Sequence, residues 1–124
     1  MRVSREVFEQ LVDQALESLP DAFRAHIANV IIEIEDQPDS RTCAELDLDD
    51  PRALLGLYHG IPLTDRHVEE PVHMPDRISI YQSNIQRICR SRDELVEQIR
   101  KTVLHEVGHY FGLDEDDLDE VGYG

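Results

Sequence analysis

The chain has 124 residues, with 12 Lys+Arg against 27 Asp+Glu, a formal charge of -15 and 40% apolar residues. A chain of this length buries roughly two-thirds of its unfolded surface, enough for one core, so a single domain over residues 1–124 with one site is expected. The charge repels phosphate, and the basic residues are scattered rather than gathered in a stripe, which excludes nucleic acid and anionic membrane as natural partners.

Met1-Arg2-Val3-Ser4-Arg5-Glu6 becomes polar again too soon for a secretory h-region, and no apolar run approaches a membrane-spanning length. Cys43 and Cys89 form no C-x-x-C pair, so two reduced, half-buried thiols and a cytoplasmic location are expected.

From Ser4 to Leu19, Val7, Phe8, Leu11, Val12, Ala15, Leu16 and Leu19 recur at three- and four-residue intervals, which predicts an amphipathic helix capped by Ser4 and limited by Pro20. A short helix follows over Asp21 to Ile27, with Phe23 and Ile27 on one face. Asn29 to Asp36 reads as a strand with Val30, Ile32 and Ile34 inward and Glu33 and Glu35 toward water.

Gln37 to Arg52 carries Pro38, Pro51 and no sustained period, a loop with room for one helical turn. Leu54 to Tyr58 is a second strand, closed by His59-Gly60, with Ile61-Pro62-Leu63 returning at an edge because Pro62 lacks a donor. Asp65 to Asp76 is loop, and Arg77 to Tyr81 is a third strand with Ile78 and Ile80 on one face and Ser79 and Tyr81 on the other. A helical piece near Ile85 to Cys89 precedes Ser91-Arg92-Asp93-Glu94, a capping box in which Ser91 and Glu94 satisfy each other's N–H groups.

The long helix that starts there has Val96, Ile99, Val103, Val107, Tyr110 and Phe111 along one arc. It also holds His105-Glu106-Val107-Gly108-His109, an H-E-x-x-H pattern expected by chance about 0.03 times in a chain of this composition. Two residues four apart lie ~40° from each other around the axis and ~6 Å along it, so both imidazoles reach one cation. With Val103 at zero, the apolar arc runs from about -40° to 100°, while His105 falls near 200° and His109 near 240°. The histidines therefore face away from the core. Glu106, near 300°, flanks them, where a carboxylate can act as base toward a metal-activated water without ligating. Gly108 inside the helix points to close packing of that turn against a neighbour.

A catalytic zinc takes three protein ligands. Gly112, three residues after His109, can take the left-handed conformation that ends the helix and reverses the chain, bringing Glu115 back toward the histidines. Asp116 and Asp114 compete with Glu115, since a one-residue change in the turn presents either; His59, His67 and His73 are upstream donors. Tyr58, His59, His73, Tyr81 and Tyr123 are candidates for a second electrophile, whereas Tyr110 points with the core.

The run His105-Glu106-Val107-Gly108-His109-Tyr110-Phe111-Gly112-Leu113-Asp114-Glu115 resembles the H-E-x-x-H-x-x-G-x-x-[acid/His] signature of zincin metallopeptidases. With the Phe8-to-Asp36 helix–strand region, Gly60-Ile61-Pro62-Leu63-Thr64 and Pro75-Asp76-Arg77-Ile78-Ser79-Ile80-Tyr81, nearly the whole chain is similar to small bacterial zincin-like metallopeptidases. The resemblance implies an α+β minimal zincin-like fold, a mixed sheet of three to four strands packed with an N-terminal helix and a C-terminal metal-binding helix. It also implies Zn2+ held by His105, His109 and an acid after Gly112, Glu106 as catalytic base, and a peptide or protein substrate. In zincins an edge strand beside the metal helix pairs with extended substrate, a role that falls here to Leu54 to Tyr58. The alternatives are a non-catalytic zinc-binding module, against which Glu106 argues, and an acidic protein-interaction domain built on the Asp114-to-Glu120 run. A monomer or weak homo-oligomer is expected.

Overall fold

The computed structural model describes residues 1–60 and 76–120. Among these residues the elements are α1 (Arg5–Glu17), α2 (Asp21–Ile27), β1 (Ile31–Glu35), α3 (Ser40–Glu45), β2 (Gly56–His59), β3 (Arg77–Tyr81), α4 (Gln82–Ile88), α5 (Arg92–Tyr110) and α6 (Glu115–Glu120). The fold is α+β. The expected return strand at Ile61-Pro62-Leu63 and most of the Asp65-to-Asp76 loop lie outside the described residues.

The strands form one mixed sheet in the order β1-β3-β2, with β1 parallel and β2 antiparallel to β3. The central position of β3 explains a burial that alternation alone does not give: Ile78, Ser79, Ile80 and Tyr81 are all buried, because both faces of a central strand are covered. Ile78 and Ile80 join Phe8, Leu11, Val12, Ile85, Leu95, Ile99, Val103 and Val107 in the core, and Ile32 and Ile34 pack against it from β1. Ser4 caps α1 by accepting the Val7 N–H at 3.1 Å, as expected.

β2 begins at Gly56 rather than Leu54 because the preceding carbonyls are taken elsewhere. Pro51–Ala53 form a 3-10 turn, and the buried Asn84 amide donates to Pro51 O (2.8 Å) and Leu54 O (2.6 Å). Pairing with β3 starts one residue later, where the Tyr81 N–H donates to Leu55 O at 3.0 Å. Within the predicted loop, Asp39 caps α3 by accepting the Thr42 N–H at 2.8 Å. Ser91 caps α5 as predicted, accepting from Glu94 N–H at 3.1 Å, but the Glu94 carboxylate reaches back to the Arg90 N–H at 2.6 Å, one residue beyond the Ser91 N–H that a reciprocal box would use. Val96 is 39% exposed and Leu95 takes its place in the core, so the buried arc of α5 is displaced toward the side that includes Thr102 and Glu106.

Cys43 and Cys89 are free thiols, half-buried and buried. No helix among the described residues is long and apolar enough to cross a membrane.

Burial pushes the Tyr81 hydroxyl from the usual 10.0 up to about 12, against the opposing hydrogen bond of Ser79. The folded state thus holds this proton more tightly than the unfolded chain. Its contribution, on the order of 2 kcal/mol, is complete below pH 10 and is lost as pH rises through 12. Unfolding free energies measured by denaturant titration should fall over this window for the parent and much less for Tyr81→Phe; parallel slopes would contradict the burial argument.

Candidate metal centre

α5 supplies two of the converging side chains and the turn after it supplies the third. Gly112 sits at φ 87, the left-handed conformation that ends a helix at low steric cost. Its N–H donates to His109 O at 2.9 Å and the Leu113 N–H donates to Gly108 O at 3.0 Å, the two bonds of a Schellman motif. The chain then enters α6 through a reciprocal box: Asp114 Oδ1 accepts from Asp117 N–H (2.9 Å) and Asp117 Oδ2 accepts from Asp114 N–H (3.1 Å). Asp114 is occupied as a cap, and the next residue, Glu115, faces the histidines.

The donor atoms form a nearly equilateral triangle. His105 Nε2 and His109 Nε2 are 3.1 Å apart, and Glu115 Oε1 lies 3.2 Å from the first and 3.1 Å from the second. Zinc held tetrahedrally at ~2.0 Å would separate its ligand atoms by ~3.3 Å. Three protein donors at this spacing would leave a bound zinc one position for a water or substrate oxygen. His109 Nδ1 lies 3.0 Å from Leu113 O, an arrangement in which Nδ1–H donates and the Nε2 lone pair points into the triangle. Lone pairs and a carboxylate converging this closely repel one another unless a cation or proton lies among them. Both imidazoles are about a quarter exposed, and the Glu115 side chain is 68% exposed. Among the described residues, His105, His109 and Glu115 are the group whose ligand atoms can hold one ion, all within 4.8 Å of one another.

Glu106 lines the same cleft as the two histidines and is 7% exposed. Its Oε1 accepts the Tyr58 backbone N–H at 3.1 Å. Since Leu55 O is bonded to β3, the backbones of Leu55, Leu57 and His59 turn toward β3, and those of Gly56 and Tyr58 turn the other way, to the side of β2 that pairs with no other strand among the described residues. One outward N–H thus orients the carboxylate. Burial holds the Glu106 carboxyl above the ordinary carboxylate range, opposed by His105, His109 and the Tyr58 N–H. The close approach of β2 to α5 requires Gly56: a Cβ there would stand 2.8 Å from Thr102 Cγ2 and 3.3 Å from Glu106 Cγ.

The electrophile candidates separate by sheet face. Tyr58 shares the face of Ile78, its hydroxyl donating to Asp76 Oδ1 at 2.7 Å and its ring meeting Tyr110 edge-on at 5.9 Å. His59 and Tyr81 lie on the opposite face, away from α5, where His59 Nε2 and Ser79 Oγ are 3.1 Å apart. Neither converges on the triangle; burial, and then Arg77, holds the His59 imidazole below its usual value. His67, His73 and Tyr123 lie outside the described residues. Sequence reasoning missed Asp114 and Asp117 as a cap, although D-x-x-D after a glycine carries that signal. It also missed the backbone partners of His109 and Glu106, which no side-chain pattern encodes.

An H-E-x-x-H helix whose two histidines meet a carboxylate delivered by a glycine turn has the donor arrangement of a zincin-type metal site. Residues 27–123 match the zincin-like metallopeptidase family, and the chain belongs to that family. Membership implies a divalent metal, typically zinc, and peptide or protein substrates. No curated protein matches the chain significantly.

Proposed function

We propose that residues 1–124 form a single-domain zinc peptidase in which His105, His109 and Glu115 hold the ion and Glu106 is the general base. The observation that carries this reading is the triangle of donor atoms at 3.1–3.2 Å with a buried, separately anchored carboxylate beside it. When bound there, zinc supplies the Lewis acidity that makes water nucleophilic near neutral pH and polarises a carbonyl.

The remaining chemistry belongs to the chain. Glu106, raised by burial and held by the Tyr58 N–H, accepts a proton from the attacking water and returns it to the leaving amine nitrogen. The Leu113 carbonyl keeps His109 in the tautomer that offers Nε2. The N–H and carbonyl of Gly56, turned away from β3, give an extended peptide backbone groups to pair with beside the centre.

Full-length protein reconstituted with zinc should hydrolyse members of an unbiased peptide library, stop when a strong chelator removes the metal, and recover on zinc addition. Hydrolysis that continues without metal would refute the proposal, as would a zinc-loaded protein that cleaves nothing in the library.

A further inference from the structure

The cleft at the centre extends to both sides of it, and the two sides differ in chemistry. Toward the end of α5 it opens to about 730 Å³ and is walled by Leu46, Leu48, Leu57 and Leu113. Leu46 is 43% exposed and lies outside the core. Asp47 between the first two leucines has φ 55, a left-handed backbone that Asp tolerates better than most residues, and it places both side chains on the cleft wall. An apolar wall open to water beside a polar centre is the arrangement of a ligand pocket.

Toward the start of α5 a smaller hollow of about 410 Å³ lies between Leu54 and Leu55 on one side and Gln98, Lys101 and Thr102 on the other. Both hollows share Leu54, Gly56, His105 and Glu106, so one extended chain can lie across them. Lys101 precedes His105 by one helical turn in the same i, i+4 row as His109, and every other cationic residue of the chain except histidine is Arg. Its natural intrahelical partner, Glu97, is instead gripped by Arg100 at 2.6 and 3.2 Å. Among the described residues Lys101 takes part in no ion pair.

We propose, resting on the peptidase reading above, that the cleft selects peptides with a large apolar side chain on one side of the scissile bond and, on the other, a carboxylate held by Lys101. One helical turn of offset corresponds to about two residues of extended chain, which fixes where the carboxylate falls. A net charge of -15 disfavours acidic peptides in bulk, so the preference is positional. The carboxylate is either an Asp or Glu side chain or the peptide's own terminus.

The test is binding to zinc-loaded Glu106→Gln protein, followed by fluorescence anisotropy. The probes are labelled, amidated octapeptides with a central Leu and either Asp or Asn two residues to either side, with a second set ending there in a free carboxylate. In one direction, Asp or the free terminus should bind about fivefold tighter than its neutral counterpart, less so at high salt, and Lys101→Ala should bring the ratio to about one. Leu→Ser in the peptide should weaken binding about tenfold, and Leu46→Ser in the protein should reduce that dependence. An advantage confined to free termini assigns the site to carboxyl-terminal residues; one shared with Asp assigns it to internal acids; either supports the proposal. A ratio of one in the Lys101 protein, an unchanged ratio in Lys101→Ala, or no binding by any probe would overturn it. Failure of the peptidase reading is distinguishable, because binding ratios would then hold while zinc-loaded Lys101 protein with Glu106 intact leaves the same peptides uncut.

Discussion

Replacing Glu106 by glutamine should lower peptide hydrolysis by about 10²–10⁴-fold while leaving zinc affinity within about twofold of the parent. The split follows from where the carboxylate sits. Glu106 is outside the donor triangle, so its charge is not needed to hold the ion; it is buried, so a neutral isostere costs little desolvation. The glutamine amide still presents a carbonyl oxygen to the Tyr58 N–H, which preserves the contact between β2 and α5. What disappears is the proton acceptor. Paired measurements of zinc affinity and hydrolysis rate check both halves: retained hydrolysis would remove Glu106 as base, and lost zinc would mean that the carboxylate belongs to the ligand set. A purely structural zinc module predicts no hydrolysis in either protein.

The second large effect is on the metal itself. His109→Ala should weaken zinc binding by more than about 10²-fold, because it removes one donor and also the link from Nδ1 to the Leu113 carbonyl that ties α5 to the turn carrying Glu115. Asp114→Ala removes no donor, yet it deletes the cap that directs Glu115 and should cost about 10–100-fold. Asp116→Asn, a change within the same acidic run but outside the triangle, should leave affinity unchanged. Competition titrations against a chromophoric chelator measure all three. Equal loss in the Asp116 and Asp114 variants would mean that bulk negative charge, not geometry, holds the ion.

Much of this site was legible because its determinants are local. The i, i+4 histidines, the glycine that reverses the chain and the acid three residues beyond it lie within Leu104 to Asp116, and helical periodicity alone separates the histidines from the core. β1, β3, α1 and α2 were likewise readable from local pattern, with ends at or near those expected. The remainder depends on distant partners. No period in Gly56-Leu57-Tyr58-His59 announces that the Tyr58 N–H anchors Glu106, a residue 48 positions away. Leu54 reads as strand until Asn84, 30 positions on, takes its carbonyl. Tyr81 and His59 looked like site residues because their chemistry suits one, and only the register of β2 on β3 reveals that they face the other way. Val96 satisfies the helical period yet is exposed, because Leu95 on the adjacent row is the residue that packs.

The claim on which the account turns is that one ion is held by two imidazoles and one carboxylate. X-ray absorption at the zinc edge of the reconstituted protein should show only nitrogen and oxygen neighbours at about 2.0–2.1 Å, with outer-shell scattering from two imidazoles that falls to one in His105→Ala. Sulfur neighbours near 2.3 Å, three imidazoles in the parent, or a spectrum unchanged by His105→Ala would contradict it.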